Sequence, residues 1–260
     1  MVEVAFDDKN IVENRDSVVK DQILSVSVLY LFRQAPREVY IILKNDSQKL
    51  RCTLDILSLQ VTDIITQQFD YGGHPIHALQ AGPDSGPLIL LLHGKMFQAA
   101  TWQETGTLAK LAEAGYHVVA LDLPGFGNSP FTNIEPSEVL KTLINQSSQN
   151  KAILLGPSMG GRIVLEFTLD NPDLVTSLIL IGAVGVQENK ERLKELNLPC
   201  LAVWGGEDTI SPLTNGRLIQ QEVKSAELVI IPGAPHPCYL DQPNEWHRIL
   251  LRFLTEKLPA

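Results

Sequence analysis

From residue 88 onward, short apolar runs recur along the chain, most of them separated by stretches with helical character. This alternation constrains the fold more than any other feature. The runs lie at 88–92, 117–121, 152–155, 177–181, 200–204 and 228–231. Continuous apolar character over four or five residues suits strands buried on both faces, as in a parallel sheet covered by helices. Helices are expected at 101–114, ended by Gly115, and at about 136–148, 159–170, 187–196, 213–224 and 243–257. A hairpin is expected just before them, from 67–71 and 75–80 around Gly72-Gly73. Strands alternating with helices of this length make βαβ units, so the expected class is α/β with a mainly parallel sheet flanked by helices.

The first 66 residues read differently. They contain no glycine and one proline, Pro36, and carry β-rich runs at 23–32, 38–43 and 52–59. No group in them suggests chemistry. The expected organisation is an N-terminal β-rich extension over 1–66 and a larger domain over 67–260. Lys and Arg number 21 against 30 Asp and Glu, a net charge of −9 with no basic block. Phosphate backbones would repel such a chain, so nucleic-acid binding is excluded as an expectation. Residues 1–20 are rich in acids, unlike a basic leader. The early apolar stretch 23–32 is about half the ~20 residues a membrane helix needs. Cys52, Cys200 and Cys238 are too few and too scattered for a disulfide framework. A cytoplasmic, soluble protein is expected.

In sheets of this kind, functional groups collect at the carboxyl ends of the strands. After 152–155 comes Gly156-Pro157-Ser158-Met159-Gly160-Gly161, then a helix. Gly-x-Ser-x-Gly between strand and helix sets the serine on a strained turn whose glycines let the backbones approach. The helix N-terminus behind Ser158 favours developing negative charge. A serine hydroxyl also needs a base to take its proton. Of six histidines, His236 directly follows a late apolar run, in a loop marked by Pro232, Gly233, Pro235 and Pro237. His93 follows the first run and is expected to shape an oxyanion loop. His74, His77, His117 and His247 are expected in structural or surface roles.

An acid must fix the tautomer of the base. Asp208, after the run 200–204, is the candidate, with its neighbour Glu207 as rival; Asp122 precedes the serine and is expected to brace a loop. The backbone N–H groups of Met159 and Lys95 are the expected oxyanion donors. The Lys95 ammonium is also open to attracting an anionic substrate. Cys238 lies two residues past His236 but lacks the electropositive setting of a reactive thiol. No zinc spacing, P-loop or dinucleotide fingerprint follows a strand, so neither cofactor nor metal is implied.

The His93-Gly94 loop, the Gly-x-Ser-x-Gly turn, the acid and the histidine, in that order over 67–260, resemble the α/β-hydrolase fold superfamily. More narrowly, Leu91-Leu92-His93-Gly94-Lys95, Thr101-Trp102, Gly106-Thr107-Leu108 and Ala114-Gly115-Tyr116 resemble the abhydrolase-domain-fourteen subgroup. So do Leu121-Asp122-Leu123-Pro124-Gly125-Phe126-Gly127-Asn128-Ser129, His236-Pro237-Cys238-Tyr239-Leu240-Asp241 and Glu245-Trp246-His247. The serine turn departs from that subgroup's Ser-Pro-Ser-Leu-Ser-Gly and follows the general superfamily pattern.

The resemblance implies an α/β-hydrolase fold. Many members insert a lid after the strand at 177–181, but residues 183–199 are too few for a lid domain. The expected function is a carboxylesterase-like serine hydrolase that cleaves small acyl esters through an acyl-enzyme, using Ser158, His236 and Asp208. Met96, Phe97, Trp102, Leu123, Phe126, Ile210 and Tyr239 stand beside the motif loops as pocket candidates. Two alternatives remain: an acyltransferase with an amine or thiol acceptor such as coenzyme A, and a non-catalytic small-molecule binder.

Overall fold

The structure, a computed structural model, describes residues 26–28, 41–43 and 63–258. The chain divides into two units, Met1–Gln60 and Val61–Ala260. In the first unit, β1 (Val26–Val28) pairs antiparallel with β2 (Ile41–Leu43), Val26 opposite Leu43. These fall inside two of the expected β-rich runs; the third, 52–59, lies outside the described residues.

The second unit is built on one sheet. Its strands are β3 (Ile65–Tyr71), β4 (His74–Ala81), β5 (Leu88–Leu91), β6 (His117–Leu121), β7 (Ala152–Pro157), β8 (Val175–Ile181), β9 (Cys200–Gly205) and β10 (Ala226–Ile231). Across the sheet they run β10-β9-β8-β7-β5-β6-β4-β3. Strands β5 to β10 pair parallel, while β4 pairs antiparallel with both β3 and β6. The chain leaves β5 for β6 on one side and returns to β7 on the other. That reversal opens a crevice at the carboxyl end of β5, where ligands bind in open α/β sheets.

Helices α1 (Ala100–Glu104), α2 (Thr107–Glu113), α3 (Pro136–Gln146), α4 (Ser158–Asp170), α5 (Leu213–Glu222), α6 (Cys238–Asp241) and α7 (Pro243–Lys257) complete the unit. Alternation along β5 explains the two cores. Leu88 and Leu90 join Val139, Leu140 and Val164 of α3 and α4, while Ile89 and Leu91 join Leu108 of α2 and Ile249 and Phe253 of α7.

Two helix expectations are corrected. The helix expected over 101–114 is two helices, because Gly106 adopts φ +77° and turns the chain between α1 and α2. The helix expected at 187–196 is a 3-10 segment, Lys190–Glu195. Its apolar residues do not form one α-helical stripe: Leu193 alone is buried within it, and Val186, Leu196 and Leu198 anchor the flanks. Asn189 closes the turn by donating from its amide to the Gly185 carbonyl at 2.8 Å. Arg192 ties the segment to α4 through Asp170 at 2.9 Å, so the connection lies against the body instead of forming a lid domain.

Helix α7 docks through Trp246 and His247. The Trp246 indole donates to Thr107 Oγ1 at 3.2 Å, and His247 Nε2 lies 2.9 Å from the same hydroxyl. Burial, reinforced by Lys110, pushes the His247 pKa down from 6.5 to about 4. Below pH 6.5 the unfolded chain therefore takes up a proton that the folded chain refuses. This contribution to stability is complete above about pH 6.5 and is lost as pH falls towards 4, by up to roughly 3 kcal/mol. Thermal unfolding of the wild type and His247→Gln across that window should show a steep loss in the former and a shallower one in the latter.

Candidate active site

Ser158 is the first residue of α4 and sits at φ +49°, a left-handed backbone that costs a non-glycine residue about 1–2 kcal/mol. The turn is held because its neighbours are small. A Cβ on Gly156 would collide with the Gly160 backbone. One on Gly160 would stand 2.7 Å from the His93 carbonyl oxygen, and one on Gly161 would stand 2.7 Å from Ala183 Cβ. The start of α4 thus lies directly against the loop after β5 and the turn after β8. Met159 follows Ser158 in the first turn, where backbone N–H groups have no partner within the helix.

The loop after β5 is fixed by His93, which is fully buried. Its Nδ1 donates to the Gly94 carbonyl at 2.8 Å, and its Nε2 accepts the Leu123 N–H at 3.1 Å. Both nitrogens are thereby committed, and burial pushes the ring's pKa down, opposed by the Gly94 carbonyl and Asp122. His93 has no free nitrogen to serve as a base. Asp122 braces the adjoining loop: its carboxylate accepts the N–H groups of Ala99 and Asn128 at 2.7 and 2.8 Å and meets His77 Nδ1 at 2.8 Å. Gly94 lies against Ser158, and a Cβ added to it would stand 3.8 Å from Ser158 Cβ. Lys95 follows it, with its side chain in solvent.

Asp208 and His236 come together from the loops after β9 and β10. His236 Nδ1 lies 2.8 Å from Asp208 Oδ2. The other oxygen, Oδ1, accepts the N–H groups of Ile210 and Ser211 at 2.9 and 2.8 Å. The Asp208 side chain is wholly buried and that of His236 is 18% exposed. An ionised carboxylate satisfied this way keeps the proton on Nδ1 and leaves Nε2 free to accept one. The two loops are joined by backbone bonds from Gly206 N–H to the Ile231 carbonyl (2.9 Å) and from Glu207 N–H to the Ala234 carbonyl (3.0 Å). Glu207 itself points into solvent.

The turn after β8 links this pair to the serine. A Cβ on Gly182 would meet Asp208 Oδ2 at 2.9 Å and His236 Nδ1 at 3.3 Å, and the Val184 N–H donates to the Ser158 carbonyl at 3.2 Å. Ser211 Oγ donates to the Ala183 carbonyl at 2.6 Å, holding the acid loop on the same turn. Neither Gly182 nor Ser211 was foreseen. Gly182 directly after an apolar run was the available signal; Ser211 carried none.

The apolar candidates separate into three groups. Met96 and Ile210 are 84% and 63% exposed. Phe97 is half-buried against Gly94, and half-buried Phe126 stands 5.1 Å from the His93 ring, above buried Leu123. Trp102 and Tyr239 are fully buried and stack on each other at 5.0 Å within the core. Cys200 and Cys238 are buried thiols whose pKa values burial pushes up to about 12, so neither is a nucleophile at neutral pH. Among the described residues, no cluster of three or more His, Cys, Asp or Glu side chains could hold a metal ion, and no helix is long and apolar enough to cross a membrane.

Residues 87–193 match the alpha/beta hydrolase fold family model. ABHD14B of Rattus norvegicus, provisionally named a protein-lysine deacylase, is 32% identical over 196 residues, 71% of this chain and 92% of its own length. Protein ABHD14A of Danio rerio is 35% identical over 175 residues, 65% of this chain and 64% of its own length. Among solved structures, a CIB-like hydrolase from Thermoplasma acidophilum superposes with a TM-score of 0.70 at 26% identity, covering 75% of this chain and 99% of that one. The carboxylesterase CesB of Bacillus subtilis shares the fold, with a TM-score of 0.65 at 17% identity over 75% of this chain and 92% of that one.

Proposed function

This chain belongs to the α/β-hydrolase fold family, within its abhydrolase-domain-fourteen subgroup, and from that premise we propose that it is a serine hydrolase that cleaves small acyl esters through an acyl-enzyme. One observation carries the reading: a buried carboxylate, satisfied by two backbone N–H groups, holds His236 by Nδ1 against the turn after β8, whose Val184 N–H bonds the carbonyl of a serine kept at φ +49°. Ser158 Oγ attacks the acyl carbonyl while His236 Nε2 takes its proton. Asp208 stabilises the imidazolium without itself becoming protonated. The carbonyl oxygen gathers negative charge opposite the backbone N–H groups of Met159 and Lys95, each such donor being worth about 3–4 kcal/mol in the transition state. His236 then protonates the leaving alcohol. Water repeats the sequence on the acyl-enzyme and restores Ser158.

The name borne by the ABHD14B relatives favours a second reading, in which the acyl group leaves the ε-amine of a protein lysine. The two readings share the acyl-enzyme and differ only in the leaving group. Buried reduced thiols at Cys200 and Cys238 agree with a cytoplasmic setting.

The test is labelling of the purified protein with a fluorophosphonate, located by mass spectrometry, followed by turnover of p-nitrophenyl acetate and of an acetyl-lysine peptide. A single adduct on Ser158 with ester turnover is expected. An unlabelled Ser158 in a folded sample would overturn the proposal. The loop contact adds a sharper expectation. In Gly160→Ala the new methyl presses on the His93 carbonyl, which must move, and Lys95 moves with it. The kcat for the ester should fall about 10²-fold, the scale that a misplacement of roughly 1 Å produces, with KM little changed.

A further inference from the structure

Two ties hold the connection that carries Lys95. At its start, His93 Nε2 accepts the Leu123 N–H at 3.1 Å; at its end, the Ala99 N–H donates to Asp122 Oδ1 at 2.7 Å. Between them the Phe97 N–H folds the chain back onto the Gly94 carbonyl at 3.0 Å. Both ties reach consecutive residues just past β6, so the place of the Lys95 N–H follows from where Asp122 and Leu123 stand.

The Asp122 carboxylate is in turn aimed by His77. It is 1% exposed, and a Cβ on Gly127 would collide with it. Its Oδ2 meets the Asn128 N–H and His77 Nδ1, both at 2.8 Å. An ionised carboxylate only accepts, so the His77 proton sits on Nδ1. Of the three donors, Ala99 and Asn128 belong to loops that the carboxylate itself holds. His77 is rooted in the sheet, on β4, where its neighbour Ala78 pairs with Leu121 of β6. The backbone of Asp122 is fixed to the same strand: its N–H donates to the His77 carbonyl at 2.9 Å, and its carbonyl accepts Ser129 Oγ at 2.7 Å. What the imidazole adds is control of rotation about the last side-chain bond of Asp122, a torsion with broad preferences of its own. That rotation decides whether Oδ1 faces Ala99.

We infer that His77 is a positioning residue for the oxyanion donor: through Asp122 and Ala99 it holds the Lys95 N–H where the carbonyl oxygen gathers charge. The inference rests on the hydrolase reading above. Such a donor acts on the transition state far more than on bound substrate, so displacing it lowers kcat and spares KM.

The test compares three variants of the full chain on p-nitrophenyl acetate. Each rate is divided by the amount of Ser158 that a fluorophosphonate labels at completion, so misfolded protein does not count. His77→Asn places an amide nitrogen where Nδ1 stood, His77→Gln places it where Nε2 stood, and His77→Leu removes the donor. The Gln and Leu variants should lose about 10²-fold in kcat, the scale of a roughly 1 Å misplacement, with KM within about twofold. The Asn variant should keep kcat within about threefold of wild type. The Ala99 amide proton should exchange about tenfold faster in the Gln and Leu variants and at the wild-type rate in the Asn variant. If the apolar side chain prevents folding, the Asn and Gln pair decides alone. A merely structural role would lower the melting temperature or the labelled fraction and leave kcat per labelled serine unchanged, and that result overturns the inference. Equal losses in the Asn and Gln variants, or a rise in KM at constant kcat, overturn it too. In all of these the wild type stays active; a wild type without ester turnover instead overturns the hydrolase reading, and the inference falls with it.

Discussion

Ser158→Ala is expected to lose about 10³–10⁶ in kcat for p-nitrophenyl acetate while folding as the wild type does. His236→Ala should lose a similar factor. The double variant should be little worse than either, because nucleophile and base act as one unit and removing half removes the function. Stability adds an independent check. Ser158 holds a left-handed backbone that alanine tolerates no better, so neither a large gain nor a large loss in unfolding free energy is expected. If Ser158→Ala kept wild-type turnover in a purified sample, the proposed chemistry would be wrong at its root.

Asp208→Asn should lower kcat by about 10²–10⁴ with little change in fold. The amide oxygen can still accept from Ile210 and Ser211, so the loop keeps its shape. The amide nitrogen, facing His236 Nδ1, donates where the carboxylate accepted. That forces the proton onto Nε2, the nitrogen that must be free to take one from Ser158. Glu207→Gln, in solvent on the next residue, should leave kcat within about twofold of wild type, since a surface substitution away from such features moves energies by no more than ~0.5 kcal/mol. Steady-state kinetics on the two variants side by side decide the assignment; the reverse ranking would transfer the acid to Glu207.

The strands were legible because a strand covered on both faces needs nothing but apolar residues, and β6 occupies the same five residues in sequence and structure. The break at Gly106 was less visible. A glycine in a periodic run is equally compatible with a tolerated helix position and with a turn, and the left-handed φ that decides the matter comes from how α1 and α2 pack on the sheet. The charged stretch at 187–196 misled for a related reason. Its composition is helical, but its apolar residues share no stripe, and only Leu193 within Lys190–Glu195 is buried. Around the candidate site, the residues proposed to contribute chemistry stand out by type and by position after a strand. The residues that hold them do not. Ser211 orients the acid loop through a backbone carbonyl 28 positions earlier, a relation that exists only after folding. Trp102 and Tyr239 show a further limit: lying next to a motif loop does not say whether a ring faces the mouth or the core.

The proposed acid and base, Asp208 and His236, follow the last two strands of the sheet, and the bonds that join their loops form only when β10 has paired with β9. A polypeptide emerging from the ribosome completes the serine turn long before it completes those loops, at synthesis rates of about 5–20 residues per second. During that interval the proposed nucleophile has no partner to draw off its proton. On the proposed mechanism, a nascent chain that has not reached His236 lacks its base even if its earlier strands have collapsed. Turnover then becomes possible only once β10 has paired with β9 and brought the two loops together.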